Sequence, residues 1–235
     1  MQLHWVHASE ALPEASKALS EPNGLVCAGI DINPGRLLEA YRKGIFPWYR
    51  EGQPVLWWSP DPRMVLFCED FRFHRSLRKR ARTLSEDSGW SLAVSADFDA
   101  VVHACARPRR GQRGTWITPE VIDAYTALHR QGFAQSVELR YHNELQAGLY
   151  GVSIGRMFFG ESMFTLLKDG SKLALAALVG LLKREGFTMI DCQQQTDHLA
   201  LLGARPIPRK LYIEQIQDLC RREPPNWSAV ELFWP

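Results

Sequence analysis

The sequence predicts an α+β protein. A small N-terminal domain (residues 1–63) precedes a larger one (64–235) built from an antiparallel meander, a buried helix and a strand that crosses back onto the sheet. Three observations carry this expectation. A Pro/Trp-rich stretch, FPWYREGQPVLWWSPDPR at 46–63, divides the chain. Beyond residue 132 the apolar period changes from helical to alternating. Residues 171–185 are apolar on nearly all sides, the pattern of a helix buried between layers. Helices, meander, helix and strand in that order do not make the alternation of a doubly wound fold.

Each element has a local reason. Asn33-Pro34 followed by GRLLEAYRK and Gly44 predicts a short helix with a cap, Pro in the first turn and a Gly stop. The 46–63 stretch reads as irregular. Helices are expected over 95–106 and 118–131. In the second, Thr118 caps, Pro119 opens the first turn, Val121, Ala124, Tyr125 and Leu128 share a face, and Gly132 ends it. Strand-like runs follow at 136–141, 145–152 and 156–159, with turns at Asn143-Glu144 and 153–155. The buried helix stops at Gly186 and feeds the strand TMIDCQ (188–193); the segments 196–202 and 208–222 read as helices closed by Gly or Pro.

Composition sets limits on function. With 46% hydrophobic and 23% charged residues in 235, the chain is of ordinary globular composition, not disordered or collagenous. No stretch reaches the ~20 apolar residues of a membrane helix, and the start, MQLHWVHASEALPEAS, lacks the pattern of a secretory signal. Cys27, Cys68, Cys105, Cys192 and Cys220 are odd in number and form no CxxC pair, and the histidines lack ligand spacing (His4 and His7 sit in an unpatterned terminus). A reduced cytoplasmic protein without membrane attachment or structural metal is expected. The net charge is +2, unevenly spread. Residues 72–82 (RFHRSLRKRAR) hold six Lys/Arg and 107–113 (RPRRGQR) four, with no acid in either, so the other 217 positions carry a net −8. Such clustering fits a localised anionic partner as readily as two solvated surface runs.

Several segments could carry chemistry. Gly151-Val152-Ser153-Ile154-Gly155 matches the G-x-S-x-G nucleophile elbow, but the elbow needs a helix after it, and RMFFG reads as another strand. The glycines are then expected to flank a hairpin. On the strand TMIDCQ, alternation predicts that Asp191 and Gln193 point the same way and Ile190 and Cys192 the other. GESMF (160–164) adds Glu161. KDGSK (168–172) opens the buried helix, whose N-terminal amides suit an anion; Ser171 is expected to cap it. Trp48, Trp57 and Trp58 in the connector, and Trp116 in GTWIT beside the second basic run, suit either core packing or stacking of nucleotide bases. Nucleic-acid binding through such residues suggests a structured RNA such as a tRNA end more than duplex DNA.

At this point the chain resembles the leucyl/phenylalanyl-tRNA–protein transferase family. The matching segments run in order along most of it: EPNGLVCAG (21–29), AYRKGIFPWY (40–49), LWWSPDPR (56–63), GTWIT (114–118), GLYGVSIGRMFFGESMF (148–164), SKLALAAL (171–178), IDCQ (190–193), then LGA and IPR (207–209). The resemblance implies a GNAT-like acyltransferase fold for the C-terminal domain. It further implies transfer of Leu, Phe or, less well, Met from aminoacyl-tRNA to the N-terminal amine of proteins beginning with Arg or Lys, marking them for N-end-rule degradation. No cofactor is implied, and the enzyme is expected to act as a monomer. By position, Asp191 and Gln193 match the family's catalytic pair and Glu161 its active-site glutamate. Trp48 and Trp116 match the aminoacyl-adenosine site. Leu149, Phe158, Met163, Leu175, Leu178 and Ile190 match the amino-acid pocket, and some relatives carry Met and Phe at Leu149 and Leu178. Arg75, Arg78, Lys79, Arg80 and Arg82 are the expected tRNA contacts, with 107–113 a second candidate.

The implied chemistry is mostly positioning. Asp191 is expected to hold Gln193, and Gln193 to orient the attacking amine; Glu161 either joins them or attracts the acceptor's basic side chain. Two rivals remain on sequence grounds. A CoA-dependent acetyltransferase of the same fold would carry an R/Q-x-x-G-x-G/A loop before the helix, which LKDGSKLA does not supply. A non-enzymatic tRNA-binding protein would leave GESMF and IDCQ without a purpose.

Overall fold

The computed structural model describes residues 3–108 and 114–235. In chain order its strands are β1 (Trp5–Val6), β2 (Leu25–Gly29), β3 (Phe46–Pro47), β4 (Val55–Trp58), β5 (Arg63–Phe67), β6 (Trp90–Val94), β7 (Ala134–Tyr141), β8 (Glu144–Ile154), β9 (Met157–Thr165), β10 (Met189–Gln193) and β11 (Arg205–Ile207). The helices are α1 (Pro34–Arg42), α2 (Arg75–Ser85), α3 (Phe98–Ala106), α4 (Pro119–Arg130), α5 (Gly170–Arg184), α6 (Asp197–Leu201) and α7 (Arg209–Leu219). They build a four-stranded sheet, β1-β2-β4-β3, and a seven-stranded sheet, β11-β5-β10-β9-β8-β7-β6.

The meander is longer than its sequence suggests. β7, β8 and β9 run antiparallel, and β9 continues to Thr165. His142 and Asn143, both at positive φ, make the first turn, one residue before the expected site. The buried helix α5 joins β9 to β10, which lies parallel to β9. Alternation along the strands splits the core. Tyr150, Val152 and Phe159 face α3 and α4, whereas Leu149, Phe158 and Ile190 face α5. The first of these clusters continues into the small sheet and α1, through Trp57, Leu37 and Tyr41.

Several expectations need correction. The 46–63 stretch is not irregular throughout: it holds β3 and β4, and Arg63 already opens β5 in the large sheet. The helix expected over 95–106 begins at Phe98, three residues late, because the Asp97 side chain accepts from the Ala100 amide and sets the N-cap there. Most of the basic run lies in α2, with Leu77, Ala81 and Leu84 buried on one face and Arg75, Arg78, Lys79 and Arg82 exposed. Asp169, not Ser171, is the N-cap residue of α5, in a left-handed conformation, and it pairs with Lys172 at 2.7 Å. Ser171 lies within the first turn, buried.

Ser153 sits inside β8, opposite Phe158 of β9, with no helix after it. Its hydroxyl is buried and has no protein partner. A hairpin does follow, but its turn is at Gly155-Arg156 and Gly151 lies inside β8, paired with Gly160, so the two glycines do not flank it; no nucleophile elbow exists here. Ser153→Ala should leave the melting temperature unchanged or raised, since an unpaired buried hydroxyl contributes nothing. It should also leave any acyl-transfer activity intact; loss of activity in a folded variant would restore the hydrolase reading.

Candidate active site

β9 and β10 pair at two positions, Phe158 with Ile190 and Phe159 with Asp191, and then part. Beyond that point β9 stays with β8 and β10 with β5. Both strands carry a β-bulge at the parting. On β9, Gly160 pairs with Gly151 and Ser162 with Tyr150, which leaves Glu161 as the extra residue. On β10, Asp191 and Gln193 pair with the consecutive residues Val65 and Met64, which leaves Cys192 extra, and Gln193 takes a φ of 61°. Bulges re-aim side chains, and these two aim Glu161 and Gln193 at each other: Gln193 Nε2 donates to Glu161 Oε1 at 2.8 Å. A cavity of about 920 Å³ opens at the split.

The bulge overturns the simple alternation expected for Asp191 and Gln193. Asp191 turns away into the core and is fully buried, bound in a two-point ion pair by Arg63 Nε (2.8 Å) and Nη2 (2.7 Å). Tyr212 Oη donates to the same carboxylate at 2.8 Å, and so does the Gln193 backbone amide, also at 2.8 Å. Four donors thus meet one buried carboxylate, the saturation that burying a charge requires. Arg63 is itself sandwiched between the rings of Phe46 and Tyr212, each 4.6 Å from its guanidinium carbon, and donates to Gly44 O at 3.2 Å. Asp191 therefore does hold Gln193, through the backbone of the bulge.

Glu161 has a different environment. Its Oε1 is hydrogen-bonded to Tyr41 Oη at 2.7 Å and its Oε2 to Tyr125 Oη at 2.8 Å, while the two phenol oxygens are hydrogen-bonded to each other. Burial lifts the Glu161 carboxyl from its ordinary 4.5 to about 8; the two phenols pull it back and Asp191 adds to the rise. Burial, and then the charge of Glu161, hold both phenols well above their usual range, so both keep their protons.

All six residues matched to the amino-acid pocket line this cavity. Leu149, Phe158, Leu175, Leu178 and Ile190 form its buried apolar side, and Met163 is half-buried. Trp48 and Trp116 line it too. Trp48 is exposed and meets Trp58 edge-on, and Trp58 Nε1 donates to its carbonyl at 2.7 Å. Trp57, by contrast, belongs to the core. Ser171, in the first turn of α5, also reaches the cavity. The basic residues of α2 lie elsewhere: Arg75, Arg78, Lys79 and Arg82 are exposed, whereas Arg80 is half-buried and its Nε shielded. Of the second basic run, Arg107 and Pro108 line the cavity, and 109–113 fall outside the described residues. Among the described residues no disulfide joins the cysteines, and no group of ligands suited to a metal exists.

Arg63, Tyr41, Tyr125 and Tyr212 were not singled out by the sequence. Arg63 carried one signal, a lone charge opening the apolar run MVLF. The tyrosines carried none beyond an apolar helical phase.

Known proteins share this chain's sequence along nearly its whole length. The family model described as leucyl/phenylalanyl-tRNA protein transferase matches residues 65–217, and the model of that protein's N-terminal domain matches 30–61. Curated relatives named leucyl/phenylalanyl-tRNA–protein transferase include those of Bordetella petrii (52% identical, covering 99% of this chain and 94% of the relative) and Bordetella bronchiseptica (55%, covering 99% and 93%). That of Cupriavidus metallidurans is 55% identical, covering 91% and 88%. Among solved structures, FemX is matched with a TM-score of 0.43 and 11% identity, over 81% of this chain and 74% of that one, too distant to carry fold or function. By sequence identity over nearly its whole length, the chain belongs to the leucyl/phenylalanyl-tRNA–protein transferase family, a family of aminoacyltransferases.

Proposed function

We propose that the cavity receives the aminoacylated end of tRNA and that the enzyme transfers Leu or Phe, and less well Met, to the N-terminal α-amine of proteins beginning with Arg or Lys, marking them for degradation. One observation carries this reading: in a chain of this family, an apolar recess and a polar wall of Glu161 and Gln193 meet at a single strand split. The recess suits an uncharged side chain, and the wall suits an amine. Residues 1–63 would carry Trp48 to the rim and 64–235 the rest, on a GNAT-like fold. We place the enzyme in the cytoplasm as a monomer; among the described residues no helix is long and apolar enough to cross a membrane.

The reaction asks mainly for positioning. An aminoacyl ester is already activated, and an α-amine with a pKa near ~8 is readily made neutral. Holding the two together can supply roughly 7–11 kcal/mol of the barrier. Gln193 is the residue placed to meet the amine. Asp191 lines the cavity but is fully buried, its carboxylate taken up by Arg63, Tyr212 and the Gln193 amide; in this reading it acts through the Gln193 backbone as a positioning residue.

The decisive assay incubates the protein with labelled Leu-, Phe- and Met-tRNA and a peptide beginning with Arg, and follows label into the peptide. No incorporation from any of the three would refute the reading. Within it, Gln193→Ala should lower kcat strongly with little change in melting temperature. Asp191→Ala should lower both, because stripping one partner from a buried ion pair costs about 3–5 kcal/mol. Equal thermal stability of the two variants would undo the distinction. Filling the recess with Leu178→Phe should depress Phe transfer more than Leu transfer. The shift should be graded, of the order of ~1–3 kcal/mol, as hydrophobic pockets allow.

The exposed face of α2 is the proposed tRNA contact. Reversing Arg75, Arg78 and Lys79 to Glu should weaken charged-tRNA binding and flatten its dependence on salt, each lost phosphate contact lowering the log–log slope by roughly 0.7–0.9. Arg80 is left out because its half-buried side chain would confound binding with folding. Binding that is unchanged over a salt series would return this face to solvent.

A further inference from the structure

The hydrogen bonds around Glu161 can be counted proton by proton. Three oxygen–oxygen contacts form a closed triangle: Tyr41 Oη to Glu161 Oε1, Tyr125 Oη to Glu161 Oε2, and Tyr41 Oη to Tyr125 Oη. The two phenols supply two protons. If Glu161 is ionised, both are drawn to the carboxylate, and the contact between the phenol oxygens has no proton, so two lone pairs face each other in a buried space. If Glu161 carries a proton, three protons serve three contacts. Gln193 Nε2 also donates to Oε1, so that oxygen accepts and the proton belongs on Oε2. The ring then runs one way: Glu161 Oε2–H to Tyr125, Tyr125 to Tyr41, Tyr41 to Glu161 Oε1. Every contact is filled.

We propose that Glu161 works as a neutral carboxylic acid, with Tyr125 and Tyr41 as positioning residues that hold it so, and that this ring fixes Gln193 with its amide nitrogen inward and its amide oxygen toward the incoming amine. The kinetic consequences rest on the transferase reading; the protonation state does not. The titratable and charged groups around Glu161 are Tyr41 from α1, Tyr125 from α4, Tyr150 from β8, and Asp191 and Arg63 from β10 and β5, the last two compensating each other. Arg107 and His198 line the same cavity. The carboxyl's rise to about 8, driven by burial, is in keeping with the proton count.

Neutrality has a chemical purpose here. A carboxylate beside the incoming amine would favour its ammonium form, which has no lone pair with which to attack the ester. A neutral acid leaves the amine free to lose its proton. Held neutral, Glu161 also offers no charge to draw in the acceptor's Arg or Lys side chain, the other role its sequence position allowed.

Glu161→Gln decides the matter, because an amide reproduces the neutral acid: its NH₂ donates to Tyr125 and its oxygen accepts from Tyr41 and Gln193. The variant should transfer label to the peptide within about tenfold of the parent at pH 7. The ratio of parent to variant rate, in which the pH effects on amine and ester cancel, should fall about tenfold from pH 7 to pH 9 as Glu161 ionises with its midpoint near 8. A loss beyond tenfold at pH 7 in a folded variant, or a ratio independent of pH, would overturn the proposal.

Two further readouts need no substrate. The native state binds the Glu161 proton more tightly than the unfolded chain does, so the parent should lose melting temperature relative to Glu161→Gln between about pH 4.5 and pH 8 and level off above. Should the variant not fold, the infrared carbonyl band of a protonated carboxyl in the parent at pH 6.5, titrating near 8, answers the same question; its absence overturns the proposal. A parent that transfers nothing refutes the transferase reading alone and leaves these two readouts to judge the ring.

Discussion

The buried pair of Arg63 and Asp191 is the interaction on which the rest of the site depends. Two unit charges with no exposure to water are costly unless every donor and acceptor is met. Here the fork of Arg63 takes both carboxylate oxygens, and Tyr212 and the Gln193 amide complete the shell. The partners come from β5, β10 and α7, while Phe46 and Gly44 receive the guanidinium beside β3. One ion pair thus ties the small sheet to the large one at the residue from which β10 bends away. Its geometry decides where Gln193 leaves the strand, so a structural knot also sets the position of the side chain proposed to meet the amine.

The cavity follows from how the strands end. A parallel pair that continued past Phe159 and Asp191 would close the sheet and leave no recess. The bulges at Glu161 and Cys192 end the pairing, and α5 supplies the apolar side with Leu175 and Leu178. Gly151 is part of the same design: a Cβ there would come within 2.3 Å of the Phe159 carbonyl, so only glycine lets β8 lie close to the bulged strand. The polar wall and the apolar side are two consequences of one interruption.

What could be read in the sequence, and what could not, divides by range. Local rules found α1, α4 and α5 within a residue or two, because caps, Pro at the first turn and Gly stops act on neighbours. They missed β2, where LVCAG is buried at every position and shows no alternation, and β11, where RPI contains a proline. In α2 the stripe of Leu77, Ala81 and Leu84 was present, but six basic residues in 72–82 drew attention from it. The ordered family segments led to the residues of the recess, which come together from β8, β9, α5 and β10. They could not show the Arg63–Asp191 bond, which spans 128 positions, nor the bulges, which leave no composition signal. Tyr41 and Tyr125 looked like core residues because they are core residues. Only the hydroxyls at their tips belong to the site.

Charge and neutrality are kept apart in this molecule, and the separation has a physical use. The exposed cations of α2 lie on a helix that does not line the cavity, so an anionic backbone can be gripped there by forces that salt weakens. Within the cavity, the Asp191 charge is cancelled by Arg63, and the proposed ring leaves Glu161 uncharged. In the proposed reading an amine at Glu161 and Gln193 meets dipoles there, and dipoles orient it without fixing its proton, while Arg107 is a cation elsewhere among the lining residues. The recess in turn discriminates by volume alone, worth only ~1–3 kcal/mol per methylene. On the proposed reading, selectivity for the amino acid is therefore graded at the recess. Any sharper choice would then fall to contacts elsewhere on the tRNA or on the acceptor, for which the rim and the basic face are the proposed surfaces.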